Sequence, residues 1–98
     1  MVEIKIYSEI YRDQVARLIL SIQQTEFQIP ITLQDQPDLS DISNFYQKNN
    51  GNFWVAVLEN IVIGTIALLD IGNNSGALRK MFVDANYRVK IRCGPNIA

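Results

Sequence analysis

Between Asn52 and Asp84 the chain holds three apolar runs separated only by short polar turns. Asn52 to Leu58 (NFWVAVL) is rich in aromatic and β-branched residues, the composition of a pleated, half-buried surface. Glu59 and Asn60 turn the chain into Ile61 to Ile71 (IVIGTIALLDI), and Gly72-Asn73-Asn74-Ser75 turns it again into a run from Gly76 to Asp84. Connections this short join only antiparallel neighbours, because a parallel crossover needs roughly a dozen residues or more. The stretch therefore predicts a three-stranded antiparallel meander. Its middle strand is apolar on both faces and should be covered on both. Gly64 inside it predicts a bulge or a close backbone approach.

The residues before the meander alternate and then change period. Val2 to Tyr7 reads as a strand, with Val2, Ile4 and Ile6 facing the core and Glu3 and Lys5 facing out. Ser8 is placed to cap a helix over Tyr11 to Gln24. Val15, Leu18, Ile19 and Ile22 form its apolar stripe, and Arg12, Asp13, Arg17 and Gln24 take the wet side. Thr25 to Pro37 breaks the pattern with two prolines and reads as an ordered loop. Asp38 or Ser40 then caps a second helix to about Lys48, with Leu39, Ile42, Phe45 and Tyr46 on one side, and Asn49-Asn50-Gly51 stops it. The order is strand, helix, helix and meander, an α+β plan with helices covering the sheet.

Composition narrows the function classes. With 98 residues the expectation is one domain, and 48% hydrophobic residues favour a folded, soluble chain over disorder. The net charge of −1 gives no case for nucleic acid. The run Ile61 to Leu69 is too short to cross a bilayer, and no signal-peptide layout is visible, so no membrane is expected. The absence of histidine removes the commonest general base and any His-based metal site. Cys93 is the only cysteine, which predicts no internal disulfide and a cytoplasmic location.

The small net charge hides a division. Arg79, Lys80, Arg88, Lys90 and Arg92 lie between Ser75 and Arg92 with Asp84 as the only acid, whereas acids dominate the residues before it. A strand ending in a basic turn can hold an anion, since backbone N–H groups and cations converge there. The other reading is a solvated basic edge.

Residues Leu78-Arg79-Lys80-Met81-Phe82-Val83-Asp84, followed by Tyr87-Arg88, resemble the fourth strand and the start of the cofactor loop of the Gcn5-related N-acetyltransferase (GNAT) family. Asn52 to Val57, Ile63 to Ala67 and the Gly72 turn are similar to that family's second and third strands. Gln23 to Leu39, with Glu26-Phe27 and Gln36-Pro37-Asp38-Leu39, looks like a subgroup's acceptor-side loop. The resemblance implies an acyl-CoA N-acyltransferase-like half fold and acetyl transfer from acetyl-coenzyme A (acetyl-CoA) directly to an amine. It implies cofactor contacts at Met81, Phe82 and Val83, mainly through backbone, and at Arg88 and Lys90. It implies acceptor contacts at Glu26, Phe27 and Tyr46, with no catalytic side chain and no metal assigned. Each has a plainer reading. Met81 to Val83 read as ordinary strand, Arg88 and Lys90 as a solvated tail, Phe27 and Tyr46 as packing residues, and Glu26 as a surface acid.

The likeness ends after Arg88. The family's loop has the form Arg/Gln-x-x-Gly-x-Gly/Ala, and here Ile91 and Cys93 stand where the glycines fall. Residues 1–98 are thus expected to form one truncated domain, family-like over 1–87 with a divergent tail over 88–98, and weak or inactive as an enzyme. A shifted reading frame near Arg92 would account for that tail. The alternative is a non-catalytic module that self-associates or binds CoA or another anion. An incomplete sheet also predicts a homodimer or higher oligomer, formed through the last strand or the sheet face.

Overall fold

The computed structural model of the chain describes residues 1–87. Both turns of the meander close as tight hairpins. Glu59 and Asn60 (φ 51° and 68°) and Asn73 and Asn74 (φ 56° and 60°) all take left-handed backbone. Two consecutive positive φ values match the right-handed twist of the flanking strands, and asparagine tolerates that region better than most residues. The strands are β2 (Asn52–Leu58), β3 (Ile61–Gly72) and β4 (Ser75–Val83), and β1 (Glu3–Ile6) joins them. Together they make a four-stranded antiparallel sheet in the order β1-β2-β3-β4. The α+β plan and the meander hold as the sequence predicts. Gly64 lies beside the expected irregularity: Val57 pairs with Val62 and Ala56 with Gly64, which leaves Ile63 as an extra residue on β3.

The first strand has the opposite facing from the one expected. Lys5 pairs with Val55, and Tyr7 N–H donates to the Phe53 carbonyl at 2.8 Å. Phe53, Val55 and Val57 face the core, so Tyr7 shares their side, while Ile4 and Ile6 share the side of Ala56 and Trp54. Ile4 and Ile6 remain 67% and 59% exposed. Tyr7 wins the core position because its ring packs edge-on against Phe53, with centroids 5.4 Å apart, and its hydroxyl donates to Glu9 Oε2 at 2.7 Å. Since strand side chains alternate, one buried residue fixes the facing of all the others.

Helix α1 (Arg12–Ser21) buries Val15, Leu18 and Ile19, and a π-turn over Ile22–Glu26 carries on to bury Ile22 and Gln23. Ser8 makes no side-chain cap; its carbonyl accepts from Tyr11 N–H at the head of a 3-10 turn. Gln14 fixes α1 to the β2–β3 turn, accepting from Val62 N–H at 2.9 Å and donating to the Asn60 carbonyl at 3.3 Å. The single second helix expected to Lys48 is instead two turns, α2 (Pro37–Ser40) and α3 (Ile42–Phe45). Asp41 separates them with φ −150° and ψ 59°, and its carboxylate accepts from the Asn44 amide. Leu39, Ile42 and Tyr46 reach the core, but Phe45 does not.

All three helices join one buried cluster with Phe53, Val55, Val57, Val62 and Ala67. The expected two-sided cover of β3 holds for Val62 to Thr65. It fails towards Ile71, which is exposed. No helix among the described residues is long and apolar enough to cross a membrane.

Candidate functional site

A regular strand would send Arg79 and Lys80 to opposite faces of the sheet. Here β4 carries its own bulge. Thr65 pairs with Phe82 and Ala67 with Arg79, so Lys80 and Met81 together oppose Ile66. Lys80 takes left-handed backbone, φ 50°, which costs a non-glycine residue about 1–3 kcal/mol. The buried Thr65 hydroxyl holds the bulge by donating to the Lys80 carbonyl at 2.7 Å. As a result Arg79, Lys80 and Phe82 all line one cleft with Asp38, Phe45, Tyr46 and Leu69, enclosing about 340 Å³.

A connected polar network forms one wall. The Tyr46 hydroxyl donates to Asp38 Oδ2 at 2.6 Å, and Lys80 Nζ lies 3.6 Å from the same oxygen. Lys80 Nζ also donates to Gln36 Oε1 at 2.6 Å. Gln36 and Gln23 exchange two amide hydrogen bonds of 2.9 Å each, both side chains buried. Buried polar groups are tolerable only when satisfied, and among the described residues no buried side-chain donor or acceptor lacks a partner. Arg79 is different. It is exposed at the rim, and its side chain makes no hydrogen bond or ion pair among the described residues.

Burial, and then the hydrogen bond to Asp38, push the Tyr46 phenol well above its ordinary value, while the Arg79 charge works weakly against them. Tyr46 is therefore a fixed donor at neutral pH, not a base. Tyr7 is raised likewise, by burial first and Glu9 next. Because both folded values lie above the unfolded value near about 10, the stability they carry is complete below that pH and is lost as pH rises beyond it. The slope approaches about 1.4 kcal/mol per pH unit for each tyrosine. Denaturant titrations at pH 9, 10 and 11 should show this decline, and Tyr46→Phe should lessen it.

Of the residues implicated from sequence, Tyr46 (2% exposed) and Phe82 stand at the cleft. Met81 is 58% exposed and without a ladder partner on β3, and Val83 is half-buried opposite Gly64. Glu26 and Phe27 lie at the end of the π-turn, exposed and not among the cleft-lining residues. Arg88 and Lys90 fall outside the described residues. Sequence reasoning put Gln23, Gln36 and Asp38 in an acceptor-side loop and Arg79 and Lys80 in a basic strand end, but it did not bring the five together in one site. The one available signal was an Arg-Lys pair inside an otherwise apolar strand. Among the described residues no group of acids or thiols is placed to hold a metal.

This helix-covered antiparallel sheet, with its last strand bulged beside a polar cleft, has the fold of solved acetyltransferases. The acetyltransferase (GNAT) family model matches residues 16–90, and the chain belongs to that family. It is 43% identical to a GNAT-family acetyltransferase from Staphylococcus aureus Mu50, with a TM-score of 0.88 over 93% of this chain and 59% of that one. An acetyltransferase from Streptococcus agalactiae 2603 is 36% identical, with a TM-score of 0.81 over 98% of this chain and 57% of that one. The Xenopus tropicalis N-acetylaspartate synthetase is 51% identical over 57 residues, 54% of this chain and 20% of that protein. The chain thus spans about a fifth of the curated relative it matches.

Proposed function

We propose that the chain is the part of an N-acetyltransferase that carries the acceptor cleft and the bulged cofactor strand, and that it serves acetyl transfer from acetyl-CoA to an amine. The observation that carries this reading is the β4 bulge, which frees Lys80 and Met81 from the ladder beside a cleft of small-molecule size. A pantetheine chain hydrogen-bonds to strand backbone, and Met81 to Val83 are the residues that would hold it. Acetyl-CoA supplies an activated thioester; the chain's own part is to bind, orient and exclude water. The name N-acetylaspartate synthetase in a relative supports an amine acceptor. Residence in the cytoplasm, supported by the single cysteine, belongs to the same reading. So does self-association over the side of the sheet that bears the exposed Ile4, Ile6 and Leu78, which a clean monomer in sedimentation at micromolar concentration would overturn.

Titration calorimetry with acetyl-CoA, paired with an assay of thiol release over a panel of amines, tests the main reading. Saturable binding and amine-dependent thiol release are expected. Binding without release would reduce the chain to a cofactor-binding module, and no binding would remove the reading.

A further inference from the structure

The charges lining the cleft do not balance. Arg79 and Lys80 stand against the single carboxylate of Asp38. Lys80 is committed, through Gln36 and Asp38, to holding the wall together, and its side chain is only 18% exposed. Arg79 has no such duty: it is at the rim, exposed, and its side chain has no hydrogen-bond or ion-pair partner among the described residues. Its guanidinium is nevertheless close enough to be felt at the Tyr46 hydroxyl, which sits on Asp38. A simple alkylamine is a cation at neutral pH and would enter a cleft of net charge +1 against the field. An amine that brings more carboxylates than ammonium groups would complement it.

We propose that Arg79 is a specificity-determining residue of this cleft: it selects an acceptor that carries more carboxylates than ammonium groups, such as the aspartate in the relative's name, by binding a carboxylate. The fork of the guanidinium matches a carboxylate in two-point contact, which an ammonium group cannot reproduce. Asp38 presents a place for the amine: Oδ2 is taken by Tyr46 and Lys80, whereas Oδ1 makes no hydrogen bond among the described residues. The apolar Phe45, Leu69 and Phe82 leave little else in the cleft for a charged acceptor to contact. The assignment rests on the acetyl-transfer reading for the purpose of binding, but it is tested by binding alone.

Calorimetric titration of the full chain with L-aspartate and with ethylamine, in the absence of acetyl-CoA, is the test. L-aspartate should bind to the wild type and ethylamine should not. Arg79→Gln should weaken L-aspartate by about tenfold or more, the loss expected for a charge-assisted bidentate contact. Arg79→Lys should recover only part of that, and acetyl-CoA affinity should be the same in all three proteins. Absence of L-aspartate binding to the wild type, equal binding to wild type and Arg79→Gln, or ethylamine binding as tightly as L-aspartate would overturn the proposal. So would an Arg79→Gln variant that loses acetyl-CoA and keeps L-aspartate, since the guanidinium would then serve the cofactor's phosphates. Aspartate binding that depends on Arg79 without any thiol release would leave this assignment standing and remove only the transfer chemistry.

Discussion

Replacing Gly51 with alanine should unfold much of this protein at temperatures the wild type survives. A Cβ built at Gly51 would lie 2.5 Å from the Tyr46 carbonyl oxygen and 2.6 Å from that of Leu68. Both are backbone atoms, held by the end of α3 and by β3, so neither can swing aside as a side chain would. Relief requires the helical layer to lift from the sheet where Tyr46 packs against Phe53, with ring centroids 5.5 Å apart. Forcing one methyl into such a contact costs about 3 kcal/mol. For a domain of this size that corresponds to a melting temperature roughly 12–24 °C lower. Thermal unfolding followed by circular dichroism checks it, and a shift within roughly 2 °C would mean the approach is looser than described. The same lift would move Tyr46 at the cleft, so ligand affinity should fall with stability.

Asp38→Ala should have the next largest effect, through charge rather than shape. Asp38 and Lys80 side chains are 13% and 18% exposed, so their pairing takes place largely out of water. Removing the carboxylate leaves the Lys80 ammonium with Gln36 alone and takes away the acceptor of the Tyr46 hydroxyl. Breaking one side of a fully buried pair costs about 3–5 kcal/mol, and partial exposure here reduces the expectation to about 2–3 kcal/mol. Lys80→Met in the Asp38→Ala background should recover part of the loss, because it removes the stranded charge while keeping a side chain of similar length. Urea unfolding of the two single variants and the double variant gives the coupling directly. Strict additivity would show that Asp38 and Lys80 do not interact in solution. L-aspartate binding should fall in Asp38→Ala as well, since its amine loses its partner.

The meander was legible because its signals are local. Apolar runs, the Glu59-Asn60 and Asn73-Asn74 turns, and a glycine next to a bulge each announce themselves within a few residues. The α1 stripe of Val15, Leu18 and Ile19 was legible for the same reason. The facing of β1 was not, since VEIKIY offers Ile6 and Tyr7 as competing core residues and only the pairing with β2 decides between them. The split at Asp41 was hidden too, because the apolar spacing of Leu39, Ile42 and Tyr46 fits one helix as well as two turns. The cleft was the least legible part. Its membership depends on the bulge that brings neighbours Arg79 and Lys80 to one side, and no residue in RKMFV has the character of a bulge glycine. Gln23 and Gln36, 13 positions apart, meet only when the loop between them closes.

The inverted facing of β1 has a thermodynamic consequence. Within a single chain Ile4 and Ile6, like Ile71, Leu78 and Met81, are more than half exposed, so unfolding a monomer adds less to their hydration than to that of core residues. Heat capacity rises on unfolding mainly in proportion to newly wetted apolar area, typically about 12–15 cal/mol/K per residue. A monomer that keeps these aliphatic groups wet when folded should fall below that range, and self-association over that face of the sheet would bring it back up. The monomer's free-energy curve against temperature should therefore be broad and shallow, with cold costing it less than is usual for a domain of its length.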